Sequence, residues 1–420
     1  MRQSKLFTKT LREASSDETA SNAQLLIRGG FAYKNSAGIY TMLPLGWRVI
    51  QNIARIIREE MDAIGGQELY MPALVERRYL DATNRWDVEI GFEACGKADK
   101  KAAFALGWTH EEVVTEIASK YISSYKDMPF AAYQIQTKFR NEARAKSGLL
   151  RGREFLMKDL YSFHASQEDF ERYYQAVRGA YEKIFTRCGL KAIYTVAAGG
   201  AFTAAHTHEF QVISPVGEDT IFICGSCAYA ENSEIAKLAS GAICPQCGGT
   251  VHEEKSIEVG NIFPLGVKYT EAFNVTYLDE KGSKHPVIMG SYGIGIGRVM
   301  ATIVEVSHDD KGIRWPKNIA PFNVHMIELL PKDEAKRAAV RSAAETLYAD
   351  LTRAGISVLY DEREGLSAGE KFADCDLIGI PVRLVISEKT IAQDSVEVKY
   401  RVKDSADLVK RADIVAHCAR

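Results

Sequence analysis

The chain holds 420 residues, 46% of them hydrophobic and 26% charged, the balance of a folded soluble protein with room for two or three domains. No apolar run approaches the roughly 18 residues of a membrane span, and Met1-Arg2-Gln3-Ser4-Lys5 leads into polar sequence without an apolar signal core, so the expectation is a cytoplasmic protein with no membrane contact. A formal net charge of −2 gives no global sign of nucleic-acid binding, leaving any RNA contact to local basic patches.

Over 46–64, apolar residues fall at Val49, Ile50, Ile53, Ile56, Ile57, Met61 and Ile64, the spacing of an amphipathic helix, and Gly65-Gly66 is a stop signal. Residues 67–71 then read as a short strand ended by Pro72. Thr109-His110-Glu111-Glu112 reads as a helix N-terminus with a capping Thr and an acidic first turn. The pattern predicts strands at 131–139 and 154–163 joined by a basic loop, a helix at 168–188, strand-rich segments at 210–224 and 256–295, and a helix from Gly297 to about His308. The stretch 309–321, rich in Pro, Gly and Asp, reads as a linker. Beyond it, strand 323–329, helix 333–354, strand 357–360, helix 368–377, strands 382–387 and 395–401 and a closing helix predict a separate α/β domain with a mixed sheet.

Three stretches carry chemistry. Residues 134–158 set Lys138, Arg140, Arg144, Lys146, Arg151, Arg153 and Lys158 against Glu142 and Glu154, a local balance of +5. Charge runs are usually solvated faces, and a solvated hairpin is the alternative here. Against it, Arg140 and Glu142 are two apart and share a face, while Arg151 and Phe155 lie across the hairpin, where a guanidinium and a ring suit phosphate and base. The second stretch, 289–298, places Gly293, Gly295 and Gly297 before Arg298; it lets a ligand approach the backbone but does not fit the G-x-G-x-x-G dinucleotide fingerprint. The third is Cys224-x-x-Cys227 and, 16 residues on, Cys244-x-x-Cys247, the spacing of a four-cysteine structural zinc ribbon, with free thiols as the alternative. Cys95, Cys188, Cys375 and Cys418 read as ordinary packed or surface thiols. His206, His208 and Glu209 read as hydrogen-bonding rather than metal-ligating groups.

These stretches together carry a resemblance. Phe139-Arg140-Asn141-Glu142 with Arg151-Gly152-Arg153-Glu154-Phe155 and Asp159 resembles motif 2 of the class II aminoacyl-tRNA synthetases. Residues 293–298 resemble motif 3, and the helix, strand and proline over 46–72 resemble motif 1. Within the class, Gly38-Ile39-Tyr40-Thr41-Met42-Leu43-Pro44-Leu45-Gly46, Thr109-His110-Glu111-Glu112, the 133–140 and 153–159 phrases, Lys371-Phe372-Ala373-Asp374 and Leu377-Ile378-Gly379-Ile380-Pro381 resemble bacterial and organellar prolyl-tRNA synthetases.

The resemblance implies an α+β fold: a class II antiparallel sheet with flanking helices and a C-terminal α/β anticodon-binding domain. The expected segments are 1–223 and 256–316 for the catalytic domain, 224–255 for a short zinc-ribbon-like insertion, and 317–420 for the anticodon domain. It implies activation of L-proline with ATP and Mg²⁺ and transfer to proline tRNA, by a homodimer formed through motif 1. Arg140 would contact the α-phosphate and the proline carboxylate, Glu142 the adenine side, and Arg151 and Arg298 the outer phosphates, with Phe155 and Arg298 sandwiching the base. Thr109 and Glu111 would receive the proline nitrogen, with Arg140, His208, Asn261 and Ser291 bordering the proline pocket. Asn261 stands where the family usually has histidine, Pro264 where a polar or aromatic residue is more common, and Ser291 where cysteine is frequent. The long editing insertion of many bacterial members has no counterpart in the short segment between Asn232 and Ile257. Two other readings stay open at this point: a synthetase-like regulatory paralogue and a class II enzyme for another amino acid such as threonine.

Overall fold

The computed structural model describes residues 1–13, 18–143, 145, 147–200, 202–203 and 206–419. It divides into two compact units: Met1–Asn35, Tyr40–Asn52 and Ile303–Arg420 form one, Ser36–Ile39 and Ile53–Thr302 the other. Among the described residues, no helix is long and apolar enough to cross a membrane.

The 46–64 periodicity forms the helix Pro44–Ala63. Every apolar position predicted for its inner face except Ile64 is buried, while Gln51, Arg55 and Glu59 stay exposed, with Arg55 and Glu59 paired at 2.7 Å. Each large aliphatic side chain removed from water contributes about 1.5–3 kcal/mol, so the stripe rather than intrinsic propensity holds this helix.

The second unit is built on a nine-stranded sheet. Its spatial order is Thr207–Ile213, Ile193–Ala197, Ala230–Asn232, Asp219–Cys224, Val251–Gly266, Ile288–Gly295, Glu154–His164, Phe130–Phe139 and Gly66–Glu68. The pairing is antiparallel except at the Gly66–Glu68 edge and the single Glu231 to Val196 bridge. The two hairpin strands predicted at 131–139 and 154–163 form within a residue of their expected ends, Phe130 facing Phe163 and Phe139 facing Glu154. The helix Gln167–Arg187 starts where Ser166 Oγ accepts the Asp169 amide, and buries Phe170, Tyr174, Val177, Tyr181, Ile184 and Phe185. The rings of Tyr181 and Phe185 meet Phe210 of the Thr207–Ile213 strand at 5.2 and 5.3 Å.

The first unit carries a five-stranded sheet ordered Val358–Asp361, Val324–Leu329, Val382–Ser387, Ser395–Tyr400 and Asp407–Lys410, parallel across its first three strands and antiparallel across the rest. The mixed sheet is as the C-terminal pattern predicted. Val340, Leu347 and Leu351 of the helix Glu334–Arg353 pack with Val324, Met326, Leu384 and Ile386 in its core.

Two features depart from the sequence reading. The N-terminal residues join this unit: Arg2 bridges Tyr360 in parallel, extending the sheet edge, and buried Gln3 Oε1 meets His325 Nε2 at 2.8 Å. The 309–321 stretch, read as a linker, is packed into this unit. Ile313, Trp315, Ile319 and Ala320 are buried, and Trp315 Nε1 donates to the Ile378 carbonyl at 3.0 Å. Asp309 binds Arg314 at 2.8 Å and Arg401 at 2.5 Å. Gly312, at φ 149°, lies so close to the Ala368–Ile378 helix that a Cβ would sit 2.3 Å from Leu377 Cα. A Trp and two isoleucines are too much apolar surface to leave in water, and they outweigh the turn-forming composition.

Candidate active site

The motif 2 hairpin ends in a cleft because its ladder stops at Phe139 and Glu154, after which Arg140 N still donates to Arg153 O at 2.8 Å. The cleft opens to solvent and spans about 560 Å³ with the space at its mouth included; Arg140, Glu142, Arg151, Phe155, Asn261 and Arg298 line it. The Arg140 guanidinium lies over the Phe155 ring at 5.2 Å, and its Nε has no hydrogen-bond partner among the described residues. Burial, then the neighbouring Arg298, lower the Arg140 pKa from its ordinary value, while Glu258 and Glu142 oppose them. Arg151 Nε donates to Glu142 Oε2 at 2.9 Å and its Nη1 to Glu218 Oε2 at 2.5 Å. Arg298 Nε donates to the Leu150 carbonyl at 2.9 Å and its Nη1 to Glu258 Oε2 at 3.1 Å.

The floor of the cleft is bare by design of the sheet. A Cβ on Gly293 would stand 2.4 Å from Met157 Cε and 2.9 Å from Asn261 Oδ1, so a larger residue where the central strands pair would displace both side-chain tips. Asn261 itself is tied by Nδ2 to Glu258 Oε1 at 2.8 Å. An adjoining cavity shares Arg151, Glu258 and Arg298 and adds Glu218 and Asp219. Gln211 links Glu209 and Asp219, at 2.8 and 2.9 Å. Burial and then Glu258 push the Glu209 carboxyl up to about 8, and burial raises Asp219.

A second group lies in the same unit. Glu111 opens the helix Glu111–Ser119 and is 2% exposed. Its Oε2 accepts from Thr109 Oγ1 and from Arg85 Nη1 at 3.2 Å, and its Oε1 from Ser291 Oγ at 3.2 Å. Beneath it, buried Lys138 joins His110 Nδ1 at 2.6 Å and Asp159 at 2.9 Å; Asp159 also accepts from Gln134 and Tyr161. Burial lowers the His110 pKa, with Lys138 adding to it, so the ring is neutral and accepts the Lys138 proton donor at Nδ1.

The structure thus brings together Arg140, Glu142, Arg151, Phe155, Asn261 and Arg298 in one cleft, and Thr109, Glu111 and Ser291 in one buried cluster. It does not bring His208 to either. In the Thr207–Ile213 strand His208 points to the helix side, stacked on Tyr194 at 4.3 Å and bonded through Nδ1 to Tyr174 Oη at 2.9 Å. Burial holds its pKa down at about 4, and the strand's two-residue period places it opposite Glu209. Arg144 and Lys146 lie outside the described residues. Sequence reading missed Arg85 and Glu258, which belong to no local pattern; only the fold brings them to the clefts.

The four cysteines of the 224–247 segment converge. Cys224 and Cys247 Sγ are 3.5 Å apart, Cys227 and Cys244 Sγ 3.7 Å, and all four lie within 4.8 Å of one another. A tetrahedron of thiolates at the usual zinc–sulfur distance of about 2.3 Å has edges of about 3.8 Å, so the donor set fits zinc as it stands. Tyr229 and Val251 form a small apolar floor beneath it.

Residues 48–307 match the profile of the tRNA synthetase class II core domain (G, H, P, S and T), and residues 319–419 that of an anticodon binding domain. A proline–tRNA ligase of Exiguobacterium sibiricum is 35% identical, covering 99% of this chain and 98% of its own. One of Bacillus subtilis is 34% identical over 96% of each. The first alignment runs over 563 positions, more than this chain holds, so that relative carries segments this chain lacks. Among solved structures, the prolyl-tRNA synthetase of Giardia lamblia in complex with prolyl-adenylate superposes with a TM-score of 0.78 at 20% identity, over 93% of this chain and 74% of that one. The Cryptosporidium parvum prolyl-tRNA synthetase complexed with L-proline and AMP gives 0.77 at 18%, over 94% and 73%. With this extent of likeness to curated relatives joined to the arginine-lined cleft, the chain belongs to the proline–tRNA ligase family of class II aminoacyl-tRNA synthetases.

Proposed function

We propose that this protein activates L-proline with ATP and transfers it to proline tRNA, and the observation that carries the reading is the cleft of Arg140, Arg151, Arg298 and Phe155 in the same unit as the Thr109, Glu111 and Ser291 cluster. The first step joins the proline carboxylate to the α-phosphorus and releases pyrophosphate. The carboxylate is already ionised, so no strong base is needed; alignment and charge stabilisation do the chemistry. Arg140 is suited to hold the α-phosphate and the carboxylate together, Arg151 and Arg298 the outer phosphates, and Phe155 the adenine face. Glu142 holds Arg151, and its assigned role is on the adenine side. Glu111 supplies a carboxylate for the secondary ammonium of proline, with Thr109 and Ser291 fixing its two oxygens. Asn261 and Ser291 border the amino acid, and His208 keeps a supporting role through Tyr174.

Mg²⁺ bound with ATP would neutralise the triphosphate. Asp219, Glu218 and Glu258 are hard oxygen donors at the adjoining cavity, and the raised Glu209 and Asp219 pKa values mark a crowding of carboxylates that a divalent cation relieves. Zinc at Cys224, Cys227, Cys244 and Cys247 has a structural role, since four protein thiolates leave no open position. The sequence segments 1–223 with 256–316, 224–255 and 317–420 serve as catalytic domain, zinc ribbon and anticodon-binding domain, the last reading proline tRNA in the cytoplasm. A homodimer through motif 1 is supported by the Gly66–Glu68 strand, which ends the sheet, and by exposed Tyr70, Leu74 and Tyr121 nearby in sequence or beside it.

Proline-dependent ATP–pyrophosphate exchange tests the reading, with alanine and threonine in parallel. Strong exchange with proline is expected. A folded, ATP-binding protein that exchanges with no amino acid would instead be a regulatory paralogue, and exchange with threonine alone would reassign the substrate.

A further inference from the structure

Arg85 lies in none of the motifs, yet it is 4% exposed beside Glu111 and Glu112, themselves 2% and 1% exposed. Its Nη1 alone serves both carboxylates, at 3.2 Å to Glu111 Oε2 and 2.8 Å to Glu112 Oε1. The guanidinium carbon sits 4.2 Å from the Trp108 ring centroid, 5.1 Å from Phe202 and 5.4 Å from Tyr269. Nε and Nη2 have no hydrogen-bond partner among the described residues, so this cation is fixed by rings and by one shared nitrogen. Burial alone would lower its pKa, but Glu111 and Glu112 outweigh that and hold it above its ordinary value.

Charge counting around the group leaves an imbalance. Lys138 is matched by Asp159 at 2.9 Å and His110 is neutral, so neither offsets the two glutamates. Lys268 is exposed, directs Nζ to the Phe202 carbonyl at 3.2 Å and attracts Glu111 and Glu112 through a charge that water partly screens. Among the described residues, Arg85 is the buried cation hydrogen-bonded to both buried carboxylates. Glu111 Oε2 is occupied by Thr109 and Arg85, whereas Oε1 has, among the described residues, Ser291 alone at 3.2 Å and keeps acceptor capacity.

We propose that Arg85 is a positioning residue for the amino acid: shared between Glu111 and Glu112, it anchors one oxygen of Glu111 and leaves the cluster one positive charge short, so that the substrate's ammonium completes it at the other oxygen. This rests on the reading of Glu111 as the receiver of the proline nitrogen. Glu112 then acts as the counterweight that divides the arginine, and Trp108 with Phe202 keeps the guanidinium flat and dry. Substrates with a neutral nitrogen at that position leave the buried charge uncompensated and are excluded.

The test is steady-state ATP–pyrophosphate exchange on the full chain, with folding checked by thermal melting. Arg85→Met is expected to raise the KM for proline at least about 30-fold, the lower range for truncating one partner of a buried charge pair, with the KM for ATP within about twofold. Arg85→Lys, which keeps the charge but loses the fork, falls between. Adding Glu112→Gln to Arg85→Met removes the excess carboxylate and recovers about tenfold in the proline KM. If Arg85→Met does not fold, Arg85→Lys with and without Glu112→Gln gives the same comparison. Parallel loss for ATP and proline, an unchanged proline KM in a folded variant, or no recovery from Glu112→Gln would overturn the proposal. A wild-type protein without proline exchange would overturn the functional reading instead.

Discussion

Phe155 and His325 show what single side chains are expected to do in each unit. Stacking a base on an aromatic ring contributes about 1–3 kcal/mol, so Phe155→Ala should raise the KM for ATP roughly tenfold in exchange assays while the proline KM holds. His325 is fully buried, and burial first of all holds its pKa at about 4, below the 6.5 of a free imidazole. Its proton is therefore bound more readily in the unfolded chain. The stability gained by keeping it neutral is complete above about pH 6.5 and is lost as pH falls toward 4, with about 3 kcal/mol in play. Urea midpoints measured from pH 7 to 4 should fall accordingly, and His325→Gln should flatten that limb. The residues that sequence reading found are those with neighbours in the same phrase: Arg140 with Glu142, Thr109 with Glu111, the paired cysteines. Arg85 and Glu258 were illegible because their partners are distant in the chain, and His208 was placed at the pocket because a histidine carries no mark of which face its strand will turn.

Helices and strands were largely legible because burial imposes periods of 3.6 and 2, and the Pro44–Ala63 helix and the motif 2 hairpin follow them closely. What failed was composition used in place of pattern. Pro, Gly and Asp over 309–321 suggested a linker, and the stretch does join the two matched domains, but it is packed: Asp309 closes a short hairpin, His308–Asp309 with Gly312–Ile313, and binds Arg314 and Arg401. These partners, with burial opposing them, hold the Asp309 carboxyl well below the usual carboxylate range. Arg401 is 6% exposed on its side chain, so Asp309→Ala strands a buried cation. A loss of about 3 kcal/mol is expected, read from the denaturant midpoint of the transition that reports on this unit. The N-terminal bridge from Arg2 to Tyr360 escaped notice since a single bridging residue shows no period.

At the scale of the whole molecule, two consequences concern what the chain replaces. The alignment with a relative runs over 563 positions against this chain's 420 residues, and the short segment between Asn232 and Ile257 carries Cys244 and Cys247, the second half of the four-cysteine cluster. Proline exceeds alanine by a small hydrocarbon increment, about 0.8 kcal/mol per buried CH₂, too little for strict discrimination by binding. Alanine should therefore be charged onto proline tRNA at a detectable level in an aminoacylation assay; absence of alanyl product would show a pocket that excludes it by other means. Metal analysis after anaerobic purification should find one zinc per chain, and its removal by a strong chelator should lower the melting temperature.

The strand order also sets a timetable for synthesis. Ile288–Gly295 is the last strand of the large sheet to leave the ribosome, yet it lies between Val251–Gly266 and Glu154–His164, in the middle. Until residue 295 emerges, the two halves of the sheet are separate, each with an open edge that only the late strand can join. The motif 2 hairpin is then on one side of the gap, Glu258 and Asn261 on the other, and Gly293 in the missing piece. The nucleotide cleft straddles that seam, so a nascent chain acquires its catalytic surface in the final act of closing the sheet.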